Sequence, residues 1–326
     1  MKMVNLHKFS ETIHSLIDAT SQNMINDAGL GVCLPKIKPT ESTDYINVDV
    51  NFRFQNDVCS FKISVPKSIY EGARNSKKLA TIPMGVSENK ALCAFHKSFI
   101  VDDAQKNIIR NLMNEFQKYK EKWKLTNDEY AELLITYVQN IPYDMPKYQR
   151  CDTNPRFLVE TIVDNIGVCS DKSILLAGIL AEAGFSVSLL SFKQEAHMTV
   201  GITVRKGYDY KNTGFASIET TCLSYVGEDI NRFGPQIILK SMPLIVPVGT
   251  GELPYSRISD IKIILDTENE LREKLTAANA QFKNRDNNIS NINIAEYNEM
   301  LSLYQYLMRV RPNRKLAIEE IEKACV

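Results

Sequence analysis

The hydrophobic period of this chain switches from helical to strand-like at Gly184, and that switch limits the fold more than any other feature. From Asp102 to Gly184 the apolar residues recur every three to four positions. Ile108, Ile109, Leu112, Met113, Phe116 and Tyr119 predict a helix over Asp102 to Lys122. Thr126 and Glu129 make a capping box for a second helix, which runs through Leu133, Leu134, Tyr137 and Val138 to the stop at Ile141-Pro142. A short helix is expected over Pro155 to Val163. An apolar helix follows over Ser173 to Ala183, with Gly184 as its stop. Beyond Gly184 the reading becomes strands at Phe185–Phe192, Ala196–Val204, Phe215–Thr220 and Ile237–Val248, the last interrupted by Pro243. A block of helices followed by a block of strands, with short connections, reads as an α+β fold.

The flanks add to this core. Residues 1–30 have the spacing of an amphipathic helix (Val4, Leu6, Phe9, Ile13, Leu16, Ile17). Tyr45 to Phe54 and Val58 to Val65 alternate in polarity around Gln55-Asn56-Asp57, which predicts a β-hairpin. After Ser259 two helical stripes, Ile261 to Leu275 and Ile294 to Leu307, read as a helical hairpin around the Asn-rich Arg285–Asn291 loop. The expected organisation is a helix and hairpin region over 1–100, the core over 101–255 and a C-terminal helical extension over 256–326, whose helices offer a surface for a protein partner.

Lys+Arg and Asp+Glu both number 39, so no net field draws nucleic acid or an anionic membrane. The longest apolar runs are too short to cross a bilayer, and Met1 to Ala19 carries charges inside its apolar pattern, unlike a secretory signal. A cytoplasmic location is the expectation. The seven cysteines include no C-x-x-C pair, which argues against zinc and against a disulfide framework. No calcium-loop pattern occurs, and no cofactor is expected.

One cysteine is distinguished by its setting. Cys169 stands where the irregular Asn165-Ile166-Gly167-Val168 runs into the apolar helix. There, unpaired backbone N–H groups and the helix dipole favour a thiolate. Of the four histidines, His197 follows Cys169 by 28 residues and opens a strand, and Glu219 follows 22 residues later at the end of another. Antiparallel pairing of those strands would set Glu219 beside His197 to orient its ring, and His197 would accept the thiol proton. Each residue alone fits a bland role, as a buried thiol, a packed ring or a solvated charge.

The same residues resemble those of transglutaminase-like proteins. Leu158-Val159-Glu160-Thr161-Ile162 and Gly167-Val168-Cys169-Ser170-Asp171 are similar to that family's P-x-E-T-L and G-D-C-E-D. Ala196-His197-Met198-Thr199-Val200-Gly201 resembles G-H-M-A-V-G, and Ser217-Ile218-Glu219-Thr220-Thr221 resembles Y-I-E-T-T. Val226-Gly227-Glu228 resembles I-G-E, and Tyr137-Val138-Gln139-Asn140-Ile141-Pro142-Tyr143 resembles F-V-Q-S-L-P-Y. The likeness covers about a third of the chain, roughly residues 130 to 230, and is nearest the prokaryotic, largely archaeal branch.

It implies a papain-like core with Cys169 as nucleophile, His197 as base and Glu219 as orienter, and Gln139 as an oxyanion donor. It also implies that Glu160 and Asp171 hold the loop and the helix start. The chain departs from the family at Val168 and Ser170, where the pattern has acids. The expected activity is thiol acyl chemistry on an amide of a peptide or protein, with water favoured as acceptor over an amine. The competing reading is a non-catalytic module of the same fold that binds a peptide or protein partner.

Overall fold

The computed structural model describes residues 33–81, 85–229, 239–283 and 293–324. The helix expected over 1–30 with His7 and His14, the loop over Arg285 to Asn291, the start of the Ile237–Val248 strand region and Cys325 lie outside the described residues. The architecture is α+β with antiparallel sheets.

Strands β1 (Tyr45–Phe54) and β2 (Asp57–Pro66) form the expected hairpin, with Phe54 paired to Asp57 around Gln55-Asn56. Its alternation is a physical one: Val48, Val50, Phe52 and Phe54 are buried while their neighbours face outward. Two helices that the sequence reading did not anticipate follow, α1 (Lys67–Asn75) and α2 (Glu88–Ser98). Both are short and mostly polar, so their apolar stripes are too narrow to register as a period.

Helices α3 (Lys106–Lys122) and α4 (Asn127–Asn140) match the two long helical expectations, and the Thr126–Glu129 capping box is formed. A one-turn helix, α5 (Met145–Gln149), was not expected; then come α6 (Leu158–Asp164) and α7 (Cys169–Glu182). Helix α7 is buried from Asp171 to Leu180 on every side, as befits a central helix apolar all round. Gly178 lets α6 approach it closely, since a Cβ there would sit 2.6 Å from Leu158 Cδ2.

The main sheet has the order β5-β4-β3-β6, all antiparallel: β3 (Val187–Phe192), β4 (His197–Thr203), β5 (Phe215–Ile218) and β6 (Leu244–Val248). Helix α7 packs across β3, β4 and β6. The last strand begins after Pro243, shorter than the run expected from Ile237. Proline cannot donate to a ladder, so pairing starts past it.

Among the described residues three helices, not two, follow β6: α8 (Ile258–Lys283), α9 (Ile294–Val310) and α10 (Arg314–Ala324). Pro312 falls just after the second stripe, between α9 and α10, and the residues beyond it, which the sequence reading left unassigned, fold as a separate helix. They are docked by buried ion pairs. Arg311 donates to Glu228 and Glu268 at 2.7 Å, and Arg314 donates to Glu132 of α4 at 2.6 Å. One contiguous apolar core extends from Ile37 through the hairpin, α3, α4, α7 and the sheet to Ile321. No helix among the described residues is long and apolar enough to cross a membrane.

Candidate active site

The setting of Cys169 starts where α6 ends. Asn165 takes a left-handed conformation (φ 47°), a role its short polar side chain tolerates, and turns the chain out of the helix. The next residues lie alongside Pro142-Tyr143-Asp144: Gly167 N–H donates to Pro142 O, and Asp144 N–H donates to Gly167 O, both at 3.2 Å. Gly167 has no room for a side chain, because a Cβ would lie 3.0 Å from Asp171 Cβ. Helix α7 then opens at Cys169, four residues before the expected Ser173. The polar Ser170-Asp171-Lys172 turn hides the start from an apolar period, yet Asp171 is what makes it. Its Oδ2 accepts from Val168 N–H at 3.2 Å, which caps the first turn. The buried carboxylate is matched by Lys147 Nζ, 2.9 Å from both oxygens, and accepts from Arg156 N–H at 2.8 Å.

Three expected residues meet at one end of the sheet. Cys169 is the first residue of α7, His197 the first of β4, and Glu219 follows the last residue of β5. Since β4 and β5 run antiparallel and α7 lies across β4, these three ends coincide. His197 Nε2 donates to Glu219 Oε2 at 2.8 Å, and the Cys169 side chain lies within interaction reach of the ring. His197 and Glu219 are 5% and 3% exposed, while Cys169 is half-buried and reachable. Ala196, with φ at +48°, turns the backbone just before the histidine, a left-handed position that glycine occupies more readily.

The electrostatics follow from that geometry. Burial alone would push the His197 ring down, but the nearby Cys169 side chain and the hydrogen bond the ring donates to Glu219 outweigh it and raise it to about 10. Glu219 is shifted the opposite way: burial would raise it, but His197 and Thr221 together lower it. Its Oε1 accepts from Thr220 N–H at 2.9 Å, Thr221 N–H at 2.7 Å and the Thr221 hydroxyl at 2.6 Å. The carboxylate is thus held ionised with a single orientation toward the ring. By contrast, burial pushes the Cys59 and Cys222 thiols up to about 12.

Gln139 is corrected by its surroundings. It lies buried near the end of α4, where its Nε2 donates to the carbonyls of Glu219 at 2.8 Å and Ser224 at 3.0 Å. Two carbonyl acceptors take both amide protons, so none is aimed at an oxyanion. Gln139 fixes the backbone of Glu219. The backbone N–H of Cys169, at the first position of α7, is one of the groups a helix start leaves without an intrahelical partner.

Sequence reading missed the residues that tie these elements together. Ser173 Oγ donates to Met198 O at 2.9 Å and lies 3.3 Å from Thr220 Oγ1, so one hydroxyl on α7 links the residues next to His197 and Glu219. Lys172 is buried and donates to Ile141 O at 2.6 Å and Gln139 O at 3.3 Å. Burial lowers it to about 8 despite the pull of Glu219. Both residues follow the cysteine directly in Cys169-Ser170-Asp171-Lys172-Ser173, and their polarity inside an apolar helix was the available signal. Glu160, expected to hold the loop, is buried, accepts from Phe157 N–H at 2.9 Å and is paired with Lys78. Among the described residues no group of three or more His, Cys, Asp or Glu side chains has a metal-binding arrangement. Compared with protein-family models, with curated proteins and with solved structures, the chain matches none.

Proposed function

We propose that the chain is a papain-like, transglutaminase-type thiol enzyme that cleaves an amide of a peptide or protein through a Cys169–His197–Glu219 triad. The supporting observation is a buried His197 ring, close to Cys169, hydrogen-bonded to a Glu219 carboxylate whose other oxygen is saturated by three donors. A ring so held can carry a proton away from the sulfur and return it to a leaving group.

The steps balance as follows. Cys169 Sγ, its proton on His197, attacks the amide carbon, and the carbonyl electrons move to oxygen, which the Cys169 N–H faces. The tetrahedral species collapses, the C–N bond breaks, and His197 protonates the departing amine. A thioester remains. His197 then takes a proton from water, the resulting hydroxide attacks the thioester carbon, and the Sγ–C bond breaks to give a carboxylic acid. An amine in place of water gives transfer; hydrolysis is the proposed outcome because water needs no second binding site. Glu219 stabilises the imidazolium in both halves and is not itself protonated.

Mass analysis of peptides incubated with the full chain and a primary amine tests this. The proposal expects new carboxyl termini or deamidated side chains, none of them formed by Cys169→Ala. Products carrying the amine would move the reading to transfer. If wild type and Cys169→Ala behave alike, the chain is the non-catalytic binding module.

A further inference from the structure

The segment beside the nucleophile is inside out. Between Pro142 and Tyr148 the charged side chains point inward: Asp144 accepts from Arg156 at 2.7 Å, and Lys147 is buried against Asp171. The apolar ones point outward. Met145 is 48% and Tyr148 61% exposed, Pro142 and Pro146 are exposed, and Tyr143 is half-buried. Ordinary surface turns do the reverse, because charges are cheap to solvate and apolar area is not. The inversion is enforced. Asp144 caps α5 by accepting from Lys147 N–H at 2.9 Å, and Lys147 Nζ is held by Asp171 and Asn154 O. Turned that way, α5 presents Met145, Pro146 and Tyr148 to solvent, beside Gln149 at its end.

This outward face adjoins the reacting sulfur. Tyr143 pairs with Gly167, two residues before Cys169, and its hydroxyl lies within electrostatic reach of Cys169 and Glu219. The Tyr143 and Tyr148 rings meet edge to face at 6.1 Å, so the half-buried ring by the thiol continues into the exposed one. Val168 and Ser170, where the resembled pattern carries acids, leave both flanks of Cys169 uncharged. A contiguous apolar surface next to a nucleophile marks where part of a ligand is dehydrated.

We propose that Tyr143, Met145 and Tyr148 form an apolar subsite for the side chain of the residue bearing the scissile carbonyl, and that the acyl donor is a peptide with a large apolar, preferably aromatic, residue there. The proposal rests on Cys169 being the nucleophile. That side chain stays tethered through the thioester while the amine departs, so contacts to it act in both halves of the reaction, and contacts to the leaving group act only in the first.

Blocked single-residue chloromethyl ketones carrying Phe, Leu, Ala, Lys or Asp next to the ketone test it on the full chain, with Cys169 alkylation followed by mass spectrometry. The expected order is Phe above Leu above Ala, with Lys and Asp slowest, and a Phe-to-Ala rate ratio of about tenfold or more. In Tyr148→Ser and Met145→Ser that ratio falls toward one, while in Met308→Ser, on the distant α9, it stays as in wild type. Equal rates for all five reagents, or an unchanged ratio in both subsite variants, overturn the subsite and leave the nucleophile standing. If no reagent modifies Cys169 faster than Cys33, the underlying enzymatic reading fails instead.

Discussion

The His197–Glu219 pair sets what each residue around it can do. Glu219 is fully occupied, with one oxygen on the ring and the other on Thr220 and Thr221, so replacement by glutamine preserves the threonine contacts and spoils only the ring contact. The glutamine amide would donate toward His197, forcing the wrong tautomer and removing the charge that favours imidazolium. Glu219→Gln should lower kcat/KM by on the order of 10²- to 10⁴-fold with an unchanged circular-dichroism spectrum. The pair also shapes stability against pH. His197 is raised above its ordinary 6.5 to about 10, so its contribution is full below 6.5 and fades as pH climbs toward 10. Glu219 is lowered below its ordinary 4.5, so its contribution is full above 4.5 and is lost on acidification. The gap in Tm between wild type and Glu219→Gln should therefore be widest between pH 4.5 and 6.5 and narrow toward pH 10. A gap that widened toward pH 10 would contradict the pairing.

At the scale of elements, the candidate site is made of ends. The start of α7, the start of β4 and the residue after β5 carry Cys169, His197 and Glu219, and the end of α4 braces them. Such ends are held by side chains, and Lys147 is the most consequential: it neutralises Asp171, the cap of α7, while turning α5 outward. Lys147→Met leaves that buried carboxylate without its ammonium and should cost about 3 kcal/mol, read as a lower urea midpoint at unchanged m-value. It should also slow Cys169 alkylation, because the helix start loosens. A variant as stable as wild type would show that Arg156 alone suffices. Helices α3 and α4 and the hairpin were legible because their stripes and caps repeat over many residues. The one-turn α5 and the short α1 and α2 were not, because polar pairing made at long range decides them.

Across the whole molecule, residues spread over fifty positions become one site only after the sheet and the helices have packed. Cys169, His197 and Glu219 were legible as a trio because each sits at a change of pattern. The bracing by Gln139, Ser173 and Lys172 was not, since a polar residue in an apolar helix does not reveal its partner. The C-terminal helices belong to the same core and are docked onto α4 through Arg314 and Glu132, so the site stands on a frame that includes them. The proposed activation of Cys169 therefore depends on the folded chain. The most direct measurement is the rate of Cys169 alkylation by iodoacetamide from pH 5 to 9, in buffer and in denaturing urea, beside Cys33 and Cys222. With the proton carried by a ring that stays charged to about 10, the native rate at Cys169 should be nearly flat from pH 6 to 8. At pH 6 it should exceed the other two by about tenfold or more, and urea should remove the difference. A native Cys169 rate that climbs with pH in parallel with Cys33, with no advantage over its unfolded form, would contradict the triad.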